Sequence, residues 1–123
     1  MREAVSVPGA PKPVAPLSPA IKAGGFVFVS GQLPLEPAGQ LAEGMSAQTR
    51  QCLENMKQIL LAAGIGLDNV VKCTVFITNM DEFATMNSAY AEYFPETPPA
   101  RSTVEVSRLA RGALVEIEAI ALQ

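Results

Sequence analysis

Met45, Thr49, Cys52, Leu53, Met56, Ile59, Leu60 and Ala63 recur at intervals of three and four, while Arg50, Gln51, Glu54, Lys57 and Gln58 fall on the opposite side. That period predicts an amphipathic helix with one apolar stripe. Ser46 is its expected N-cap and Gly64 its stop. A second helix is expected after Asn79, with Glu82 three residues on in a capping arrangement. Its apolar side carries Phe83, Met86, Tyr90 and Phe94, and Pro95 ends it. Around the helices lie short runs rich in Val and Ile. Arg2 to Val7 reads as an edge-like strand closed by Pro8-Gly9. Phe26 to Ser30, between Gly24-Gly25 and Gly31, reads as a buried strand, and Val70 to Ile77 as another. The recurring Pro11, Pro13, Pro16 and Pro19 predict an extended loop with at most a short strand. Leu33 to Gly44 reads as a loop.

Two further strands are expected in Pro98 to Val106 and Leu114 to Leu122, paired or neighbouring across the turn-like Ala110-Arg111-Gly112. Alternation groups Ser102, Val104 and Val106 against Arg101, Thr103 and Glu105 in the first. In the second it groups Val115, Ile117, Ala119 and Ala121 against Leu114, Glu116, Glu118, Ile120 and Leu122. The order strand, loop, strand, helix, strand, helix, strand, strand predicts an α+β fold, a mixed β-sheet with both helices packed on one face. The other face, expected to bear Arg101, Thr103, Glu116, Ile120 and Leu122, is too apolar to stay in water and is expected to meet copies of itself.

The chain has 123 residues, 49% of them hydrophobic and 17% charged, which fits a single globular domain over residues 1–123. A net charge of -3 without a basic stripe argues against nucleic acid as the main partner. No signal-peptide core and no membrane-length apolar run is present, so a cytoplasmic location is expected. Histidine is absent altogether, which removes Ser/His and Cys/His nucleophile pairs and most transition-metal sites. Cys52 and Cys73 sit in apolar periodic segments and read as buried, reduced thiols. Chemistry therefore falls to carboxylates, Arg or Lys, hydroxyls and backbone groups, with no metal and no cofactor expected. Gly31 either makes a tight turn or lets a ligand approach the backbone. Asn87 is either a satisfied polar group at a helix edge or a ligand contact. Arg101 and Glu116 could form a sheet-face ion pair, although a hairpin count sets Arg101 near Ile120 and Glu116 near Glu105, leaving their geometry open.

Several segments resemble the RidA/YjgF family of reactive-imine deaminases: Phe28-Val29-Ser30-Gly31-Gln32, Gln48-Thr49-Arg50, Val71 to Phe76, Phe83 to Asn87, and above all Pro99-Ala100-Arg101-Ser102 with Glu116 to Ala121. The resemblance implies a chorismate mutase-like fold and a homotrimer with a central β-barrel and sites between subunits. It implies hydrolysis of 2-imino acids or their enamine tautomers to 2-oxo acids and ammonia, without metal or cofactor. Arg101 would bind the substrate carboxylate and Glu116 would activate water; Ser30, Gly31, Asn87 and Thr103 would be further substrate contacts. One departure is that Ser18-Pro19-Ala20 stands for the family's Gly-Pro-Tyr, placing Ala20 where a pocket-closing tyrosine is expected. Thr103 replaces a common cysteine, and Ala110 a common proline. A non-catalytic trimer binding small carboxylates, as a sensor or partner-holder, is the competing reading.

Overall fold

The computed structural model describes residues 1–123. Six strands, β1 (Glu3–Val5), β2 (Ala20–Ala23), β3 (Phe26–Gln32), β4 (Val70–Ile77), β5 (Ala100–Glu105) and β6 (Val115–Leu122), form one sheet in the order β1-β2-β3-β6-β4-β5. Two helices, α1 (Gly44–Ala62) and α2 (Phe83–Ala91), connect β3 to β4 and β4 to β5. Only β4 and β5 pair in parallel; the other ladders are antiparallel. This is the mixed-sheet α+β architecture the element order predicts.

The expected neighbours β5 and β6 are not neighbours. β4 lies between them, because the α2 crossover returns β5 beside β4 while β6 inserts between β3 and β4. A short turn-like connection is compatible with a hairpin but does not require one.

Both helices cover the same side of the sheet. Leu53, Met56 and Leu60 of α1 and Met86 of α2 join Val27, Val75, Ile77 and Ile117 in one cluster of 22 buried residues. The apolar side of α1 is as its period predicts, but the helix starts two residues before Ser46. Glu43 holds the N-cap position without a side-chain cap bond. Gly64, at φ 86°, closes the helix in a Schellman arrangement: its N–H donates to Leu61 O and that of Ile65 to Leu60 O. Asn79 caps a 3₁₀ turn, Met80–Glu82, leading into α2; its side chain accepts from Asp81 N at 3.0 Å. Glu82 does not complete a capping box, and it is Glu105 that accepts from Met80 N, at 2.7 Å. Cys52 and Cys73 are free and buried.

The second side of the sheet is open. β3 is buried on one side only, through Val27 and Val29; Phe26 (38% exposed) and Phe28 (43%) project from the other, along with Leu122 (48%) and Val104 (40%). The sequence run suggested a strand buried on both sides, and the single chain supplies no second layer.

Candidate active site

Glu116 is half-buried on the open side of the sheet, across from Phe76 of β4. On its other flank the β3–β6 register shifts between Val29 and Gln32, and Gly31 lies in that irregular stretch. A Cβ built on Gly31 would overlap Glu116 Oε2 and lie 2.9 Å from Cδ. The absence of a side chain at Gly31 makes room for the carboxylate. Burial, and secondarily the charge of Glu118, push the Glu116 carboxyl above its ordinary value.

Ser30 ties this region to the proline-rich loop. Its hydroxyl donates to Ser18 O at 2.6 Å and its N–H to Pro19 O at 3.0 Å. In this arrangement the Ser30 hydroxyl proton holds the loop. Ala20, which stands where the family's tyrosine is expected, is 1% exposed and paired with Val29 on the core side of β2. Leu17, 51% exposed, lines a recess with Arg2, Pro16, Ser18, Ile21 and Ser30. β2 begins at Ala20, directly after this loop.

Arg101 occupies a different place. On β5 it is aligned with Cys73, and Thr103 with Val75, both fully buried core residues of β4. Aligned residues share a face, so Arg101 and Thr103 point to the helix side. There the Arg101 guanidinium carbon lies 4.8 Å from the Tyr90 ring centre and 5.6 Å from that of Phe83. Nη1 reaches Met86 Sδ at 4.0 Å, a weak contact. The chain's ion pair is elsewhere, joining Arg50 and Glu92 at 2.8 Å, and Arg101 has no carboxylate partner. Three buried polar atoms on this side make no hydrogen bond: Asn87 Oδ1, Tyr90 OH and Thr103 Oγ1. Groups of this kind are costly to leave unpaired unless water or a ligand serves them. Asn87 and Thr103 thus stand on the same side of the sheet as Arg101, and the Tyr90 ring lies against the guanidinium. The sequence leaves Asn87 open as a ligand contact, whereas Tyr90, on the apolar side of α2, reads there as packing alone.

Arg101 and Thr103 thus do not share a face with Glu116, as the sequence reading had them. Glu116 aligns with Phe76, whereas Arg101 aligns with Cys73, an odd number of β4 residues away, and successive β4 residues point to opposite faces. Within one chain the two side chains stand on opposite sides of the sheet, which excludes a direct ion pair. A recess of about 800 Å³ between Thr78 and the Ser107–Leu114 loop is lined by neither.

The chain is thus an α+β sheet with one face covered by helices, one open apolar face and an arginine without a carboxylate partner backed by aromatic rings. Residues 8–123 match the family described as Endoribonuclease L-PSP. The chain belongs to that family, the RidA/YjgF family whose signature segments appear in its sequence. It is 54% identical over 123 residues to a RutC family protein of Pyrococcus horikoshii, covering 98% of each chain. It is 43% identical over 127 residues to the 2-iminobutanoate/2-iminopropanoate deaminase of Salmonella typhimurium, covering 100% of this chain and 99% of that protein. The crystal structure of YyfA, a Rid-family protein of Yersinia pestis, superposes with a TM-score of 0.94 at 46% identity over the whole of both chains.

Proposed function

We propose that the protein hydrolyses small 2-imino acids, of the 2-iminopropanoate and 2-iminobutanoate type, to 2-oxo acids and ammonia, at sites formed between copies of the chain in a homotrimer with a central β-barrel. The observation that carries this is Arg101: a guanidinium with no carboxylate partner, on the side of the sheet that also holds the unpaired Asn87 and Thr103 side-chain oxygens, is suited to a small carboxylate. Its planar fork binds a carboxylate by two parallel hydrogen bonds. Glu116 of an adjacent copy then orients or deprotonates a water against the imine carbon. Water adds to the protonated C=N bond, giving a carbinolamine; a proton moves to nitrogen, the C–N bond breaks and ammonia leaves, with the 2-oxo group formed. The raised Glu116 carboxyl is a stronger base than an ordinary glutamate and is suited to taking that proton. Neither histidine nor metal enters this sequence of steps. Asn87 and Thr103 would serve the substrate or its water, and Gly31 admits the Glu116 carboxylate.

The open apolar face supports association, since a sheet face with Phe26, Phe28, Val104 and Leu122 exposed gains by being covered. Opposite-face placement of Arg101 and Glu116 also favours a site drawn from two copies. The competing reading, a trimer that binds carboxylates without turnover, draws support from the proline-rich loop, which offers Leu17 and no aromatic hydroxyl.

Subunit mixing tests the proposal. Arg101→Lys and Glu116→Gln, each inactive alone, are refolded together at equal ratio and assayed for ammonia release from freshly generated 2-iminobutanoate. Random trimers with shared sites should regain up to about a quarter of wild-type sites. A mixture as inactive as its parents would reject the shared site, and full activity in both single variants would reject the chemistry.

A further inference from the structure

The geometry points to Tyr90 as a positioning residue for Arg101, its ring face holding the guanidinium in place of a carboxylate so that the N–H donors stay free for the substrate. The inference rests on the carboxylate-binding reading of Arg101. An arginine that binds a substrate anion must be held without being neutralised. A neighbouring Asp or Glu would hold it but compete with the substrate for the same donors, whereas an aromatic face attracts the cation and leaves the in-plane N–H groups unoccupied. Tyr90 lies at 4.8 Å from the guanidinium carbon, inside the range of this attraction, and the one side-chain hydrogen bond the fork makes is the weak contact to Met86 Sδ.

The platform is rigid. Tyr90 is 5% exposed, belongs to the core cluster, and packs on Phe94 with ring centres 4.8 Å apart. Phe83, the second ring under Arg101, is farther away and exposed, so water weakens its hold. The Tyr90 hydroxyl makes no hydrogen bond of good geometry. Burial raises its titration above the ordinary phenol range, with the neighbouring Cys73 thiol the next cause, so the hydroxyl sits toward β4. The ring, and not the hydroxyl, is the working part.

Tyr90→Phe keeps the ring and Tyr90→Leu removes it. Calorimetric titration with 2-oxobutanoate should give Tyr90→Phe an affinity within about twofold of wild type and Tyr90→Leu one roughly tenfold weaker, the scale of a lost partly buried cation–π contact. In the imine assay Tyr90→Leu should raise KM about tenfold with kcat changed less than about threefold, because the carboxylate grip acts on substrate and transition state alike. A second readout needs no change at Tyr90. The chain has two tyrosines and no tryptophan, so in Tyr93→Phe protein the tyrosine emission comes from Tyr90 alone. Saturating propanoate should alter that emission, and Arg101→Lys in the same background should weaken the response. Wild-type affinity in Tyr90→Leu, equal losses in both Tyr90 variants, or Tyr90 emission indifferent to propanoate would each overturn the positioning role. Unchanged 2-oxobutanoate binding in Arg101→Lys would overturn the clamp beneath it, which separates the two failures.

Discussion

The carboxylate of Glu116 occupies the space that a β-carbon on Gly31 would fill. Two residues 85 positions apart in the chain are thereby matched in size, and the match needs no special glycine backbone at Gly31, whose φ is not in the left-handed region. Gly31→Ala would push against the end of a flexible side chain, not against backbone. The fold should survive with a loss below about 1 kcal/mol, while imine hydrolysis falls at least about tenfold as the carboxylate is displaced. Thermal unfolding alongside the ammonia assay checks both halves. An alanine variant with wild-type turnover would detach Glu116 from the chemistry.

The roles of the two charged residues separate by measurement. Arg101→Lys keeps the charge but loses the fork, so 2-oxobutanoate binding and turnover should both drop. Glu116→Gln should leave binding within a few-fold and cut hydrolysis by roughly a hundredfold or more, the range for a lost general base. Undiminished hydrolysis in Glu116→Gln would favour the carboxylate-binding alternative.

A base must be ionised to act, and Glu116 is held above the ordinary glutamate value first by burial and then by Glu118. Activity should therefore fall on the acid side at a higher pH than an ordinary glutamate would give. Glu118→Gln removes the like charge, favours the ionised Glu116, and should move that inflection to lower pH. Corrected for the spontaneous reaction, a profile that moves upward or stays fixed contradicts the assignment.

Light scattering on the purified protein should report about three times 13.0 kDa. Phe28→Asp, in the middle of the open face, should shift it toward the monomer and reduce turnover together with assembly. A wild-type monomer across micromolar concentrations would remove the proposed site.

Turnover should withstand exhaustive chelation, since no three His, Cys, Asp or Glu side chains gather as a ligand group. Activity lost to a chelator and restored by one metal would count against the mechanism.

Local pattern was legible in the sequence and adjacency was not. The three-four spacing of α1 and the Val70–Ile77 strand are recovered closely because each reflects burial against a single surface. Alternation also grouped Arg101 with Thr103 and Glu105 correctly. It failed to say which group faces inward: Ser102 and Val104 look the more apolar set, yet they face outward, and the arginine lies over Tyr90 on the helix side. That depends on which strand β5 joins, which the crossover decides. Ser46 was preferred as N-cap by residue type, but the helix begins at Gly44, one turn region earlier, where Gln48 reaches back to Ala42 O and also accepts from Leu114 N.

β6 lies between β3 and β4 although it follows both by tens of residues. A nascent chain with residues 26–77 already free of the ribosome would hold two strands and a helix but no seam to join them, with the inner edges of β3 and β4 open to other chains. Assembly of the sheet must await residues 115–122, so folding is governed by a distant insertion and should be slow for a chain of this size. Bacterial or cell-free expression of such a protein would then depend on chaperones that shield strand edges during synthesis, and substitutions in β6 that leave the mature fold intact should still lower its yield.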